Sequence, residues 1–210
     1  MKLNTKTKQP QRRWADSTVN RHFAFLRHML MLALKDGKLT RNPVSGVKFL
    51  QEQKRTRYLT DTELTHLRQL LAHEHWTLVA FSVETGLRRA EQFRLRWDCV
   101  DLESGVITIP MPKGGRTRHV PLSDSSQAML RSLDSFVRSL WVFPAPKNPL
   151  LPWNPQSFVN HIFSPALKKA GIEGAVWHSL RHTAARRRIM AGMDIVSIQQ
   201  LLGHRDISPH

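Results

Sequence analysis

The chain has one cysteine, one tyrosine and half as many acidic as basic side chains, and it has no apolar stretch long enough to cross a bilayer. A lone cysteine, Cys99, excludes an internal disulfide and fits a reducing compartment. The longest apolar run, Met29 to Leu34, is far short of the roughly 20 residues a membrane helix needs. The first residues are polar and basic, without the apolar core of a signal peptide. A soluble, cytoplasmic protein is expected. Sixteen Asp and Glu against 32 Lys and Arg leave a net charge of +16 on 210 residues. That imbalance implies a polyanionic partner, with nucleic acid first. The basic residues are spread over the whole length rather than along one amphipathic helix, which ranks a membrane surface low.

Length and a 40% hydrophobic content suit one main domain with a smaller piece attached. Residues 1–16 are polar, basic and without periodicity, and read as an arm. Ser17 offers an N-cap, and Val19, Phe23, Leu26, Leu30 and Ala33 then fall at helical spacing until Lys35-Asp36-Gly37. Asn42-Pro43 marks a turn, and the charged stretch from Gln51 to Arg57 reads as a linker. The expected division is residues 1–53 as a small helical piece and 54–210 as the main domain.

In the main domain, Thr60-Asp61-Thr62-Glu63 has the form of a capping box that opens a helix through Leu64, Leu67, Leu70 and Leu71. A second helix over 76–83 is stopped by Gly86, and helical spacing resumes over 89–95. Residues 106–109 and 119–122 read as strands of a hairpin around Pro112-Lys113-Gly114-Gly115. Helical patterns return over 124–137, 156–170, 178–191 and 194–202, with Gly203 as a stop. The fold class is therefore mainly α with a small antiparallel β-sheet.

Two arginine-bearing segments stand out: Thr85-Gly86-Leu87-Arg88-Arg89-Ala90-Glu91, and His178-Ser179-Leu180-Arg181-His182-Thr183, followed by Leu201-Leu202-Gly203-His204. A guanidinium stays charged at working pH and presents a planar fork of donors to phosphate oxygens, so two such groups backed by imidazoles suggest a clamp on one phosphodiester. Positions 178, 181 and 182 are three and four apart and share one helix face. On spacing alone, the basic run through Arg186, Arg187 and Arg188 makes a solvated helix face an equal reading. Zinc is a poor fit. His178 and His182 have the right spacing, but Ser179 stands where a catalytic glutamate is wanted and the cysteine is alone.

These segments, with Arg57 to Leu64 and Pro112-Lys113 through Arg116 to Val120-Pro121-Leu122, resemble the ordered motifs of the tyrosine recombinase (phage integrase) family over residues 55–206. Ser17 to Lys48, with Val19-Asn20-Arg21, Leu26 and Asn42-Pro43, resembles the final part of that family's helical, SAM-like core-binding domain. The resemblance implies a site-specific recombinase or integrase that cleaves and rejoins double-stranded DNA through a 3′-phosphotyrosyl intermediate, without metal or other cofactor. It implies that Arg88 and Arg181 hold the scissile phosphate, and that Lys113 protonates the departing 5′ oxygen. His178 would assist as acid, base or phosphate donor, His204 would donate to a phosphate oxygen, and Glu91 would orient the arginines from behind. The full-length protein is expected to form a tetramer on paired sites in a bacterial or phage-derived, nucleoid-associated setting.

Each role has a rival. Lys113 competes with Arg116 and Arg118 for the DNA, and Arg89 competes with Arg88. His204 could merely cap a helix, where a cation is favoured, and His182 reads as structural. The family's nucleophile is a tyrosine a short way past the Leu-Gly-His motif. The only tyrosine here is Tyr58, which belongs to the opening motif, so the expectation is a chain incomplete at its C-terminus and lacking the nucleophile. The alternative is a non-enzymatic DNA-binding remnant or regulator derived from a recombinase.

Overall fold

A computed structural model describes residues 14–52, 57–110 and 117–203. The expected arm (apart from Trp14, Ala15 and Asp16), most of the linker, the hairpin tip with Lys113 and Arg116, and His204 lie outside the described residues. The chain forms two compact units, residues 1–55 and 56–210.

In the first unit, α1 (Asp16–Lys35) forms where the sequence pattern places it, but it begins one residue before Ser17, with Ala15 at the cap position and no side-chain cap. An asparagine organises the rest of the unit. Asn20 donates to the Leu50 carbonyl and accepts from the Leu50 N–H, both at 2.8 Å, and so ties α1 to the segment at Leu50. Phe23 packs edge-on against Phe49, 5.6 Å between ring centres. Asn42 closes its turn by accepting from the Val44 N–H at 3.0 Å. Phe25, Leu26 and Met29 on α1 are exposed.

The second unit starts at the capping box. The Thr60 hydroxyl accepts from the Glu63 N–H, and the Glu63 carboxylate takes the Thr60 N–H at 2.8 Å, which opens α2 (Asp61–Leu70) as expected. Next comes α3 (His73–Thr85), buried along most of its length. Gly86 ends it at φ 66°, a left-handed conformation that favours glycine. A Cβ there would also meet Leu202 Cδ2 at 2.7 Å and Ala184 Cβ at 3.2 Å, so Gly86 lets later helices close on the junction. The short α4 (Arg89–Phe93) leads to a three-stranded antiparallel sheet of β1 (Val100–Asp101), β2 (Val106–Ile109) and β3 (Arg118–Pro121). Ile107 faces Val120 and Ile109 faces Arg118 in its register.

Helices α5 (Asp124–Arg131) and α6 (Ser135–Arg138) follow, then a hairpin of β4 (Pro144–Ala145) and β5 (Asn148–Pro152). The chain continues through α7 (Pro155–Phe158), a π-helical turn at Val159–Phe163 and α8 (Ser164–Lys169). It closes with α9 (Trp177–Met190) and α10 (Ile195–Leu202). The core is aromatic and aliphatic. Phe81, Phe93, Phe158, Phe163, Leu87 and Leu180 are fully buried, each worth about 1.5–3 kcal/mol in removal from water. Phe158 sits at its centre, with ring centres 5.5 Å from Phe93, 5.1 Å from Trp153 and 5.6 Å from Trp177.

Three expectations need correction. The single small sheet is two sheets, because β4–β5 is built around Pro144, Pro149 and Pro152, residues that argue against a strand in a sequence pattern. The helix expected over 124–137 breaks after Arg131, where the Ser132 hydroxyl turns back to the Met129 carbonyl at 2.7 Å. The helix expected over 156–170 is continuous but carries the π turn, next to Pro165, which has no N–H to give the α-helical ladder.

Candidate functional site

The junction after α3 positions the first arginine. Once Gly86 has turned the chain, Arg88 stands in extended conformation at the start of α4, and its N–H donates to Glu91 Oε2 at 2.8 Å. The same carboxylate takes Arg88 Nη1 on its other oxygen at 2.9 Å, so backbone and side chain of Arg88 are held by one residue. The Arg88 side chain remains 42% exposed, and its Nη2 donates to the Gly203 carbonyl.

The inward face of α9 positions the second. Trp177, Leu180, Arg181 and Ala184 are buried along that face, and α9 packs on α3 and α10. Arg181 is 4% exposed and donates to the Gly86 carbonyl at 2.7 Å and to the Leu202 carbonyl. Its partners are therefore the carbonyl ends of α3 and α10, where helix dipoles favour a cation.

A third guanidinium joins them. Arg118, on β3, is 8% exposed and donates to Glu91 Oε2 at 2.8 Å and to the Leu202 carbonyl at 2.9 Å. From sequence alone Arg118 is only a rival of Lys113 for DNA; in the structure it is an interior residue tied to Glu91. The signal was available in strand alternation. Val120 and Leu122 are apolar positions two and four residues on, so Arg118 belongs to their face.

Arg88, Arg118, Arg181 and Glu91 thus form one cluster of three cations and one carboxylate, a surplus of two positive charges. Burial, reinforced by the neighbouring charges of Arg88 and Arg118, pushes the Arg181 guanidinium down to about 10. Burial alone would push the Glu91 carboxyl up. The Arg88 N–H, the Arg118 charge and the two guanidinium hydrogen bonds outweigh it and hold Glu91 below its ordinary value of 4.5. A surplus of fixed guanidinium charge of this kind is chemically suited to an anion with several oxygens.

His178, one turn before His182 on α9, is exposed, and its ring meets that of His182 edge-on with centres 4.7 Å apart. Burial and the Arg181 charge hold the His182 imidazole below 6.5. Arg89 is exposed and reaches Gln156 Oε1 at 3.2 Å, away from the cluster. Tyr58 lies under Arg186, whose guanidinium carbon is 3.9 Å from the ring centre. Lys113 and His204 fall outside the described residues, although Gly203, directly before His204, is part of the cluster through its carbonyl. Among the described residues no three His, Cys, Asp or Glu side chains are grouped as a metal site would require, and no helix is long and apolar enough to cross a membrane.

Comparison with known proteins adds a family and a fold. The sequence model described as "Phage integrase family" matches residues 48–209. The chain is 30% identical over 205 residues to an integrase of Salmonella phage P22, covering 92% of this chain and 52% of that protein. It is 28% identical over 211 residues to the tyrosine recombinase XerD of Listeria innocua, covering 91% of this chain and 69% of that protein. The chain thus spans only about half the length of the P22 relative. Among solved structures, a lambda integrase dimer bound to a core site superposes with a TM-score of 0.78 at 19% identity, covering 93% of this chain and 74% of that one. The Tn1549 transposon integrase in complex with circular intermediate DNA gives 0.79 at 18% identity, with the same coverage.

Proposed function

Because the chain belongs to the phage integrase family, we propose that it is the catalytic portion of a site-specific tyrosine recombinase, preceded by the end of a core-binding domain, and that its substrate is double-stranded DNA. The observation that carries this reading is the convergence of Arg88, Arg118 and Arg181 on one carboxylate and two helix ends, with a surplus of positive charge inside the fold. A scissile phosphodiester brings the missing negative charge, and gains more of it in a pentacoordinate transition state, where fixed cations act most strongly. In this reading Arg88 and Arg181 hold the non-bridging oxygens. His178 and His204 exchange protons or donate to the phosphate, Lys113 protonates the 5′ leaving oxygen, and Glu91 fixes Arg88. No metal is required, since the guanidiniums neutralise the phosphate. The relatives support the partner: lambda integrase has been solved as a dimer on a core site and as a tetramer on a Holliday junction. We extend to this protein a tetramer on paired DNA sites, acting in the cytoplasm on bacterial or phage-derived DNA.

The test is covalent trapping. The complete reading frame is expressed and incubated with nicked duplexes carrying sites that the protein itself selects from a random pool. A protein–DNA adduct stable to denaturant is expected, and Arg88→Ala or Arg181→Ala should abolish it. Salt-sensitive binding without any adduct would replace the enzyme by a DNA-binding regulator. Absence of binding to duplex DNA would overturn both readings.

A further inference from the structure

We infer that Arg118 is a positioning residue that couples the two arginines of the proposed phosphate clamp; the inference rests on the clamp reading above. A strand position facing a core suits an apolar side chain, and burying a guanidinium is unfavourable unless its charge and donors find partners. Arg118 occupies such a position between β2 and the end of α10; both of its terminal nitrogens are bonded, while its Nε is buried without a partner among the described residues. The choice of partners is what matters. Glu91 Oε2, which Arg118 takes at 2.8 Å, belongs to the carboxylate that fixes Arg88. The Leu202 carbonyl, which Arg118 takes at 2.9 Å, is also the acceptor for Arg181. One side chain therefore touches the anchor of each clamp arginine and ties three separate pieces of chain together: β3, α4 and the carboxyl end of α10.

Gly203 completes the arrangement. It turns the chain at φ 68°, and a Cβ added there would collide with Arg118 Nη1, so the guanidinium lies close against Gly203. A lysine could not reproduce this, because a single ammonium has no planar fork to span a carboxylate and a carbonyl. Loss of Arg118 frees the Glu91 carboxylate and the α10 end to move independently, and the donors of Arg88 and Arg181 then no longer address one point.

The experiment compares the 210-residue protein with Arg88→Met, Arg118→Met, Arg118→Lys and the Arg88→Met/Arg118→Met double variant. Each is titrated against a fluorescein-labelled duplex over a salt series, with thermal melting recorded alongside. Each phosphate contact contributes about 0.9 to the slope of log affinity against log salt. The expected result is that Arg118→Met loses at least as much slope as Arg88→Met, that the double variant loses no more than Arg118→Met, and that Arg118→Lys, which keeps the charge and a folded protein, fails to restore it. Additive losses would make Arg118 a phosphate ligand in its own right and overturn the positioning role. A lowered melting temperature with an unchanged slope, or full rescue by lysine, would reduce it to a structural residue. If Arg88→Met itself leaves the slope unchanged, the clamp reading fails first and this inference with it.

Discussion

Two groups of arginine share α9 and live by different rules. Arg181, on the inner face, has backbone carbonyls and the guanidiniums of Arg88, Arg118 and Arg188 for company. Arg187, six residues on, is 45% exposed and pairs with carboxylates, Asp61 at 2.6 Å and Glu84 at 3.6 Å, on the rim of a cleft of about 510 Å³ between α2, α3, α5 and α9. Helical periodicity makes the difference. Residues 181, 184 and 188 meet the end of α3, where Arg181 donates to the Gly86 carbonyl, Ala184 lies beside Gly86 and Arg188 donates to the Glu84 carbonyl, and 187 is rotated off that line. The outer group is electrically satisfied by its own protein and by water. The inner group is held in place but left short of negative charge, and an unsatisfied charge inside a fold marks where a ligand belongs.

Arg181→Met should break this contrast most strongly. It removes the buried arginine of the proposed clamp while filling similar volume. If that arginine contributes charged hydrogen bonds to a phosphate, the loss is about 3 kcal/mol, or roughly a hundredfold in duplex affinity. Stability should change little by comparison, because the charged form of Arg181 is disfavoured where it sits. The measurement is affinity at fixed low salt beside a urea melt; a large loss of stability with intact affinity would place Arg181 with the outer group instead.

The two groups were unequally legible in sequence. Spacing placed Arg181 on one face with His178 and identified Thr60–Glu63 as a cap, because those interactions run within a turn or two of one helix. Arg88 was read from the Gly86 break, where a short-range signal again suffices. What spacing could not show is that the Leu202 carbonyl serves both Arg118 and Arg181, or that Glu91 joins Arg88 to Arg118 and not to Arg181. Those bonds connect residues 27 and 84 positions apart. The β4–β5 hairpin stayed hidden for a local reason, since prolines carry the opposite signal from the one their tertiary setting produces.

Glu91→Gln sharpens the comparison through pH. The folded protein holds this carboxyl below 4.5, so its contribution to stability is complete above that pH and is lost as pH falls through the lower folded value. The variant should be less stable at neutral pH by about 2 kcal/mol, since two guanidiniums lose the charged acceptor of their hydrogen bonds. It should also show a flatter acid limb, because one fewer group takes up a proton on unfolding. Urea melts from neutral to acid pH read both effects. Parallel limbs for the two proteins would mean that Glu91 is not the ionised anchor of Arg88 and Arg118.

The smallest effect belongs to the outer group. Arg187→Ala removes two exposed ion pairs, and pairs of that kind contribute about 0–1 kcal/mol and fade with salt. The expected change in stability is under about 0.5 kcal/mol, the ordinary range for surface substitutions. It should vanish in high salt, because the Debye length falls to about 3 Å near 1 M. Duplex affinity should fall only by the weak, sequence-independent share of one surface cation. Binding at two salt concentrations separates this from the inner arginines: a hundredfold loss for Arg187→Ala would move the DNA-binding centre from the buried cluster to the rim of the outer cleft, where Asp61 and Glu84 would then have to release their arginine to the phosphate.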